Sequence, residues 1–299
     1  MKSLAQSSAH RFPAKVRAGY WFVLPCLLVT FLFFIVPLLM TIWMSFNQWP
    51  LLGHPTFSGL KNYLDLLQDD SFWGSLGFTV KYTLVVTPAI FLVAFGLALL
   101  VHRGVRFVGI FRTAYFLPVV IGMTTASLLW TWMFNDQVGI FSALLMDLGW
   151  IEEPIQWLGE TNSALASIVV MVLWKASGFT MVILLVGMQA IPQDLYEAAK
   201  LDGARWWGQI RYITIPMMRR TFALALTMSV IGSFLAFEQF FVMTRGGPFN
   251  STITVVHWIY RASFTYFKLG YGAAMSVVLL LILLVLSALQ MYLLREDND

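Results

Sequence analysis

From residue 18 to residue 60 the chain carries no Asp, Glu, Lys or Arg, and comparable charge-free runs recur along its length. Residues 82–102, 113–135 and 269–294 are uncharged, 161–193 is interrupted only by Lys175, and 221–244 only by Glu238. A bilayer core of about 30 Å takes about 20 apolar residues as a helix, and each run supplies that length. Of the 299 residues, 59% are apolar and 11% charged, with mean hydropathy +0.75. A soluble domain has roughly 25% charged residues, so this chain lacks the polar surface to face water on all sides. The predicted fold is all-α: a polytopic membrane protein with six transmembrane helices at about 20–46, 82–102, 113–135, 161–189, 221–244 and 269–294. The first span is nearly twice the roughly 7–15 apolar residues of a cleavable signal peptide, so it is expected to be retained.

The basic residues set the orientation, because cytoplasmic loops are enriched in Lys and Arg. Lys2, Arg11, Lys15 and Arg17 precede the first span; Arg103, Arg106 and Arg112 follow the second; Lys200, Arg205, Arg211, Arg219 and Arg220 follow the fourth. These segments are expected inside. The stretch 136–160 has five acids and no base, and 48–78 has Lys61 against Asp65, Asp69 and Asp70, so both are expected outside. Arg245, Arg261 and Lys268 dilute the bias in the last outer loop. With no internal repeat, the chain divides into a cytoplasmic tail at 1–19, one membrane domain at 20–294 and a cytoplasmic tail at 295–299.

Several chemistries drop out. The single cysteine, Cys26, has no internal partner, and His10, His54, His102 and His257 are scattered, so no metal site is expected. There is no G-x-x-x-x-G-K-[ST] phosphate loop, and the dipeptide Gly-Lys is absent. No H-E-x-x-H or G-x-S-x-G occurs either, so no catalytic residue is assigned and the chain is not expected to be an enzyme. The net charge of +4 is dispersed over loops, which argues against a nucleic-acid partner.

The long loop at 191–220 has local order: IPQDLYEAAKLDGARWWGQIRYITIP. Pro192 can open a helix, Asp194 and Glu197 suit its positive end, and Gly203 can close it with a left-handed residue. Leu195, Ala198 and Ala199 then share one face, flat enough for close approach. That pattern fits a knob for another protein's groove. It also fits a helix lying on headgroups with Trp206 and Trp207 as anchors.

The spacing Glu197-Ala198-Ala199, three residues, Gly203, nine residues, Ile213 and Ile215-Pro216 resembles the EAA-x3-G-x9-I-x-L-P loop of ATP-binding-cassette (ABC) importer permeases. Ile215 replaces the pattern's Leu. Met188-Gln189-Ala190-Ile191-Pro192, Met243-Thr244-Arg245-Gly246-Gly247-Pro248 and Tyr260-Arg261-Ala262-Ser263-Phe264 resemble the carbohydrate-uptake permeases of the maltose and glycerol-3-phosphate type. The GGP segment resembles that of one subunit of the permease pair. The resemblance implies a multi-pass protein of the bacterial inner membrane, both termini cytoplasmic, that moves a sugar or sugar derivative inward by alternating access. Glu197, Ala198, Ala199, Lys200, Leu201, Asp202, Gly203 and Ala204 would form a cytoplasmic coupling helix between spans four and five. The implied partners are a second permease, two ATPase subunits that bind ATP and Mg, and an extracytoplasmic sugar-binding protein. No cofactor is expected in this chain itself.

Ionisable groups inside spans default to function. Lys175 and Glu238 lie at matching depth, about 22–26 Å from the cytoplasmic end at 1.5 Å per residue, and are expected to pair, the alternative being that each snorkels to outer headgroups or water. By resemblance to the maltose-type permease, sugar contacts fall on Val172, Lys175, Ala176, Phe179, Ser229, Gly232 and Ser233. Of these, Lys175, Phe179, Ser229 and Ser233, together with Glu238, are the candidate substrate pathway. The alternative is an ion-coupled secondary transporter using Lys175 and Glu238 as a relay.

Overall fold

The computed structural model describes residues 14–102 and 108–293. Lys2, Arg11, Arg103, Arg106 and the tail at 295–299 lie outside the described residues, as does most of the tail at 1–19.

The first span is one rod: α1 (Ala14–Thr30) and α2 (Val36–Ser45) are joined by a π turn at Phe31–Ile35, where the Val36 N–H bonds the Phe31 carbonyl five residues back. Pro37 accounts for the widening, since it has no N–H and its ring crowds the carbonyl four residues earlier. The same relation links the π turn at Ile210–Thr214 to Pro216. A short antiparallel pair follows, β1 (Asn47–Gln48) with β2 (Thr56–Phe57), and then α3 (Lys61–Leu67).

The second span, α4 (Asp70–His102), buries one stripe at helical spacing, including Phe72, Thr79, Tyr82, Val86, Ile90, Ala94 and Ala98. It begins at Asp70 rather than at Tyr82, where the charge-free run starts. Lys81 lies within the helix, facing out, and its Nζ donates to Asn162 Oδ1 at 3.4 Å. At about 1.5 Å per residue α4 is about 50 Å long, so one end extends past any bilayer core.

The third span departs most from expectation. No continuous helix covers 113–135; α5 (Val108–Val120) and α6 (Met123–Met133) meet at a 99° bend. Pro118 removes a backbone donor from the last turn of α5, the Ile121 N–H folds back to the Pro118 carbonyl at 3.2 Å, and Gly122 is extended at φ −58°, ψ 145°. The short α7 (Ile140–Asp147) follows.

The fourth span, α8 (Thr161–Gln189), matches its expected bounds and is the most interior, with 56% of its apolar window buried. It packs along α4 and against α5. Gly178 permits the second contact, because a Cβ there would run into the Tyr115 backbone carbonyl. Next come α9 (Gln193–Leu201), α10 (Trp206–Gln209), α11 (Ile215–Met217) and α12 (Arg219–Phe234). The fifth span is also interrupted: α12 ends at Phe234 and α13 (Glu238–Met243) resumes after residues 235–237, with Phe237 at φ −136°, ψ −59°. After α14 (Val255–Tyr260) and a π turn at Arg261–Thr265, the last span is α15 (Leu269–Leu293), which packs on α2 and α3. Among the described residues there are thus five helices long and apolar enough to cross a membrane, or six spans with the bent pair counted as one.

Candidate functional site

Two places carry the candidate residues. The first is α9, and local sequence builds all of it. Pro192, with φ −57° and ψ 135°, stands at its entrance, and Asp194 lies in the first turn. At its exit Gly203 takes φ +80°; its N–H bonds the Lys200 carbonyl at 3.0 Å, and the Ala204 N–H bonds the Ala199 carbonyl at 2.8 Å. These are the two hydrogen bonds of a Schellman motif, which needs a left-handed residue in this position.

No residue of α9 is buried. Leu195 and Ala198 are exposed, Ala199 is half-buried, and Leu201 is 90% exposed, which is unusual for leucine on an otherwise polar helix. Tyr196 fixes the other side: its hydroxyl is 3.0 Å from Thr214 Oγ1, and its ring lies 6.5 Å from that of His102 at the end of α4. A largely exposed apolar face is thus presented on a helix anchored to α4 and to the base of the fifth span.

The second place is the break in the third span. Lys175 and Glu238 both reach it, but they do not form the expected ion pair. Lys175 Nζ donates to the Ile121 carbonyl at 2.5 Å and lies 3.4 Å from those of Pro118 and Val119. Glu238 accepts from Thr124 Oγ1 at 2.9 Å and is within electrostatic range of Lys175. The pairing fails because carbonyls at the bend, which a straight third span would have committed to its own ladder, lie nearer the ammonium.

The remaining candidates are dispersed. Ser233 Oγ donates to the Ser229 carbonyl at 2.7 Å and lies 3.2 Å from Thr87 Oγ1, whereas Ser229 Oγ is buried without a partner. Phe179 stands apart from them on α8, 43% exposed, with no ring contact among the described residues. Thr124 and the carbonyls at 118–121 were not expected from sequence; Pro118 four residues before Gly122 was the one available signal.

Two clasps fix the opposite loops. Asp69 Oδ2 accepts from Tyr271 OH at 2.6 Å and from Trp258 Nε1 at 3.1 Å. Burial pushes its carboxyl up, but these bonds and those from the Phe72 and Ser71 backbone outweigh it and hold it below the usual carboxylate value. Arg261 donates to Asn250 Oδ1 and to the Arg245 carbonyl, at 2.8 and 2.9 Å, closing the GGP loop. His257 beside it is buried, and desolvation together with the Arg261 charge pushes its pKa down to about 4.

A bundle of helices long and apolar enough to cross a membrane, two of the spans interrupted and one polar helix offered outward, defines a polytopic membrane protein. The chain belongs to the family of inner membrane components of binding-protein-dependent transport systems, which its residues 82–296 match. It is 34% identical over 278 residues to the probable starch degradation products transport system permease protein AmyD of Thermoanaerobacterium thermosulfurigenes, covering 93% of this chain and 94% of that one. It is 33% identical over 281 residues to the trehalose/maltose transport system permease protein MalF of Thermococcus litoralis, covering 93% of each. The sulfoquinovosyl glycerol transport system permease protein SmoG of Agrobacterium fabrum is 32% identical, with 92% and 89% covered. A chain of a bacterial ABC transporter that imports the acidic polysaccharide alginate shares the fold, with a TM-score of 0.80 at 20% identity over 95% of this chain and 97% of that one. Family membership makes this chain a permease subunit of an ABC importer, with ATP hydrolysis in a separate subunit, and selects that reading over the ion-coupled alternative.

Proposed function

We propose that this permease carries a sugar or sugar derivative inward by alternating access, and that α9 is where the ATPase pulls. The observation that carries the mechanical part is the exposed Leu195, Ala198 and Leu201 on a helix closed by a Schellman turn and anchored through Tyr196. The segment Glu197, Ala198, Ala199, Lys200, Leu201, Asp202, Gly203 and Ala204 docks in a cleft of the ATPase, which binds ATP and Mg. Closure of two ATPases around ATP drags α9, and the motion passes through the Tyr196–Thr214 contact into α12. A second permease completes the pathway, an external binding protein delivers the sugar, and both termini lie in the cytoplasm. The relatives that transport starch products, trehalose and maltose, and sulfoquinovosyl glycerol support the sugar assignment.

Along the pathway Phe179 offers a face for a sugar ring, and Ser229 and Ser233, one turn apart, offer hydroxyls, that of Ser229 being unpartnered. Lys175 and Glu238 line it at the bend. The test is ATP hydrolysis by the reconstituted complex of this chain with its neighbouring permease and ATPase, in the presence of a binding protein loaded with one sugar at a time. Stimulation by a single sugar class is expected. Uptake that persists without the ATPase and collapses with a protonophore would overturn the reading.

A further inference from the structure

We propose that Lys175 and Glu238 are positioning residues that together brace the bend of the third span, each charge matched to one of its two half-helices. A continuous helix over α5 and α6 would use the carbonyls at the end of α5 for its own ladder. The 99° bend breaks that ladder: the Ile121 N–H turns back to the Pro118 carbonyl, and Lys175 Nζ faces the carbonyls of Pro118, Val119 and Ile121. An ammonium has three donors and no acceptor, so three carbonyls at a helix C-terminus are the environment that satisfies it. Across the bend, α6 starts without a side-chain cap on its N-terminal N–H groups. That positive end meets Glu238, which accepts from the Thr124 hydroxyl in the first turn of α6.

The arrangement is selective for the bent form. A straight third span would withdraw the carbonyls from Lys175 and leave an ammonium unpartnered within the apolar helix α8, and it would part Thr124 from Glu238. The two charges therefore act on one conformational element from its two sides, through the backbone of 118–124 rather than through each other. Because α6 packs on α13 and α5 packs on α8, movement of the fourth or fifth span is felt at the bend. The inference rests on the chain being a permease and is independent of which sugar it carries.

The test uses spin labels on cysteines at Leu117 and Leu128, both exposed, in a Cys26→Ser background of the full complex in lipid nanodiscs without sugar. The inter-label distance distribution is expected to be narrow in the parent and in Lys175→Arg, which keeps the donors. It is expected to broaden at least twofold in Lys175→Met and detectably in Thr124→Val. Sugar-free ATP hydrolysis should rise severalfold in Lys175→Met. An unchanged distribution in both Lys175→Met and Thr124→Val would overturn the brace. So would a Lys175→Met variant with a raised half-maximal sugar concentration and the parent distribution, which assigns Lys175 to the sugar instead. If Lys175→Met does not assemble, Glu238→Gln replaces it with the same criteria, and a sugar-free readout keeps this result separate from the identity of the substrate.

Discussion

The exposed helix α9, proposed as the ATPase docking element, and the bent third span are opposite solutions to placing a functional element. Every feature that shapes α9 lies within its own sequence: Pro192 before it, Asp194 in its first turn, Gly203 after it, and no buried side chain. The bend is made by Pro118 and Gly122 but completed by Lys175 and Glu238, which lie 57 and 114 residues from their partners. An element that must engage a separate protein gains from being self-sufficient and exposed. One that must change shape inside the membrane gains from being held by neighbours that themselves move. Changes near the bend should therefore cost stability, and changes in α9 should cost coupling while leaving stability largely intact.

The largest effect is expected where the third span touches the fourth. Gly178 faces the Tyr115 carbonyl so closely that a Cβ has no room, and the obstacle is backbone, which cannot rotate away. Gly178→Ala should destabilise the subunit by about 3 kcal/mol or more, seen as a lower thermal midpoint of the detergent-solubilised complex. A midpoint within a degree of the parent would show that α5 is free to retreat and would weaken the contrast.

Next comes the Asp69 clasp, which ties the start of α4 to α14 and α15. Asp69→Asn should cost about 2 kcal/mol, because two charge-assisted hydrogen bonds become neutral ones. The folded carboxyl titrates below its ordinary 3.8, so its contribution is complete above that pH and is lost as pH falls through the folded value. A melting profile of the parent should fall at the acid end and that of Asp69→Asn should be flatter there. Parallel profiles would remove Asp69 from the account.

This division also explains what the sequence made legible. The fourth and sixth spans are uncharged or nearly so, bounded by polar residues, and their observed bounds agree with expectation to within one residue. The second begins at Asp70, well before the charge-free run that opens at Tyr82, because Lys81 lies on the outward face of a continuing helix and does not end it. Hydropathy registers composition and not direction, so 113–135 scored as a straight span. Nothing local to it shows that Lys175 waits for its carbonyls. Likewise both charges stand out inside apolar runs, but their actual partners do not, since the interior of a helix has no spare carbonyls until it is broken.

In α9 the expected effects are smaller in energy and larger in function. Gly203→Val forces a β-branched residue into the left-handed region, costing about 1–2 kcal/mol, confined to a turn with open space around it. The thermal midpoint should fall by only a few degrees while binding-protein-stimulated ATP hydrolysis falls at least tenfold, and Gly203→Asn, which tolerates that conformation, should retain most of it. Equal losses in both variants would mean that the backbone conformation is not what matters.

The smallest energetic change gives the sharpest comparison. Leu201 is 90% exposed, so little among the described residues covers it, and Leu201→Glu should change stability by less than about 0.5 kcal/mol. If the ATPase covers that side chain, the same substitution places a carboxylate in an apolar contact and lowers co-purification of the ATPase as well as stimulated hydrolysis. Loss of ATPase with an unmoved thermal midpoint is the result that separates a surface made for a partner from one made for the fold. Full stimulation by the Leu201→Glu complex would instead confine docking to the Leu195 and Ala198 face, where Ala198→Trp then becomes the deciding variant.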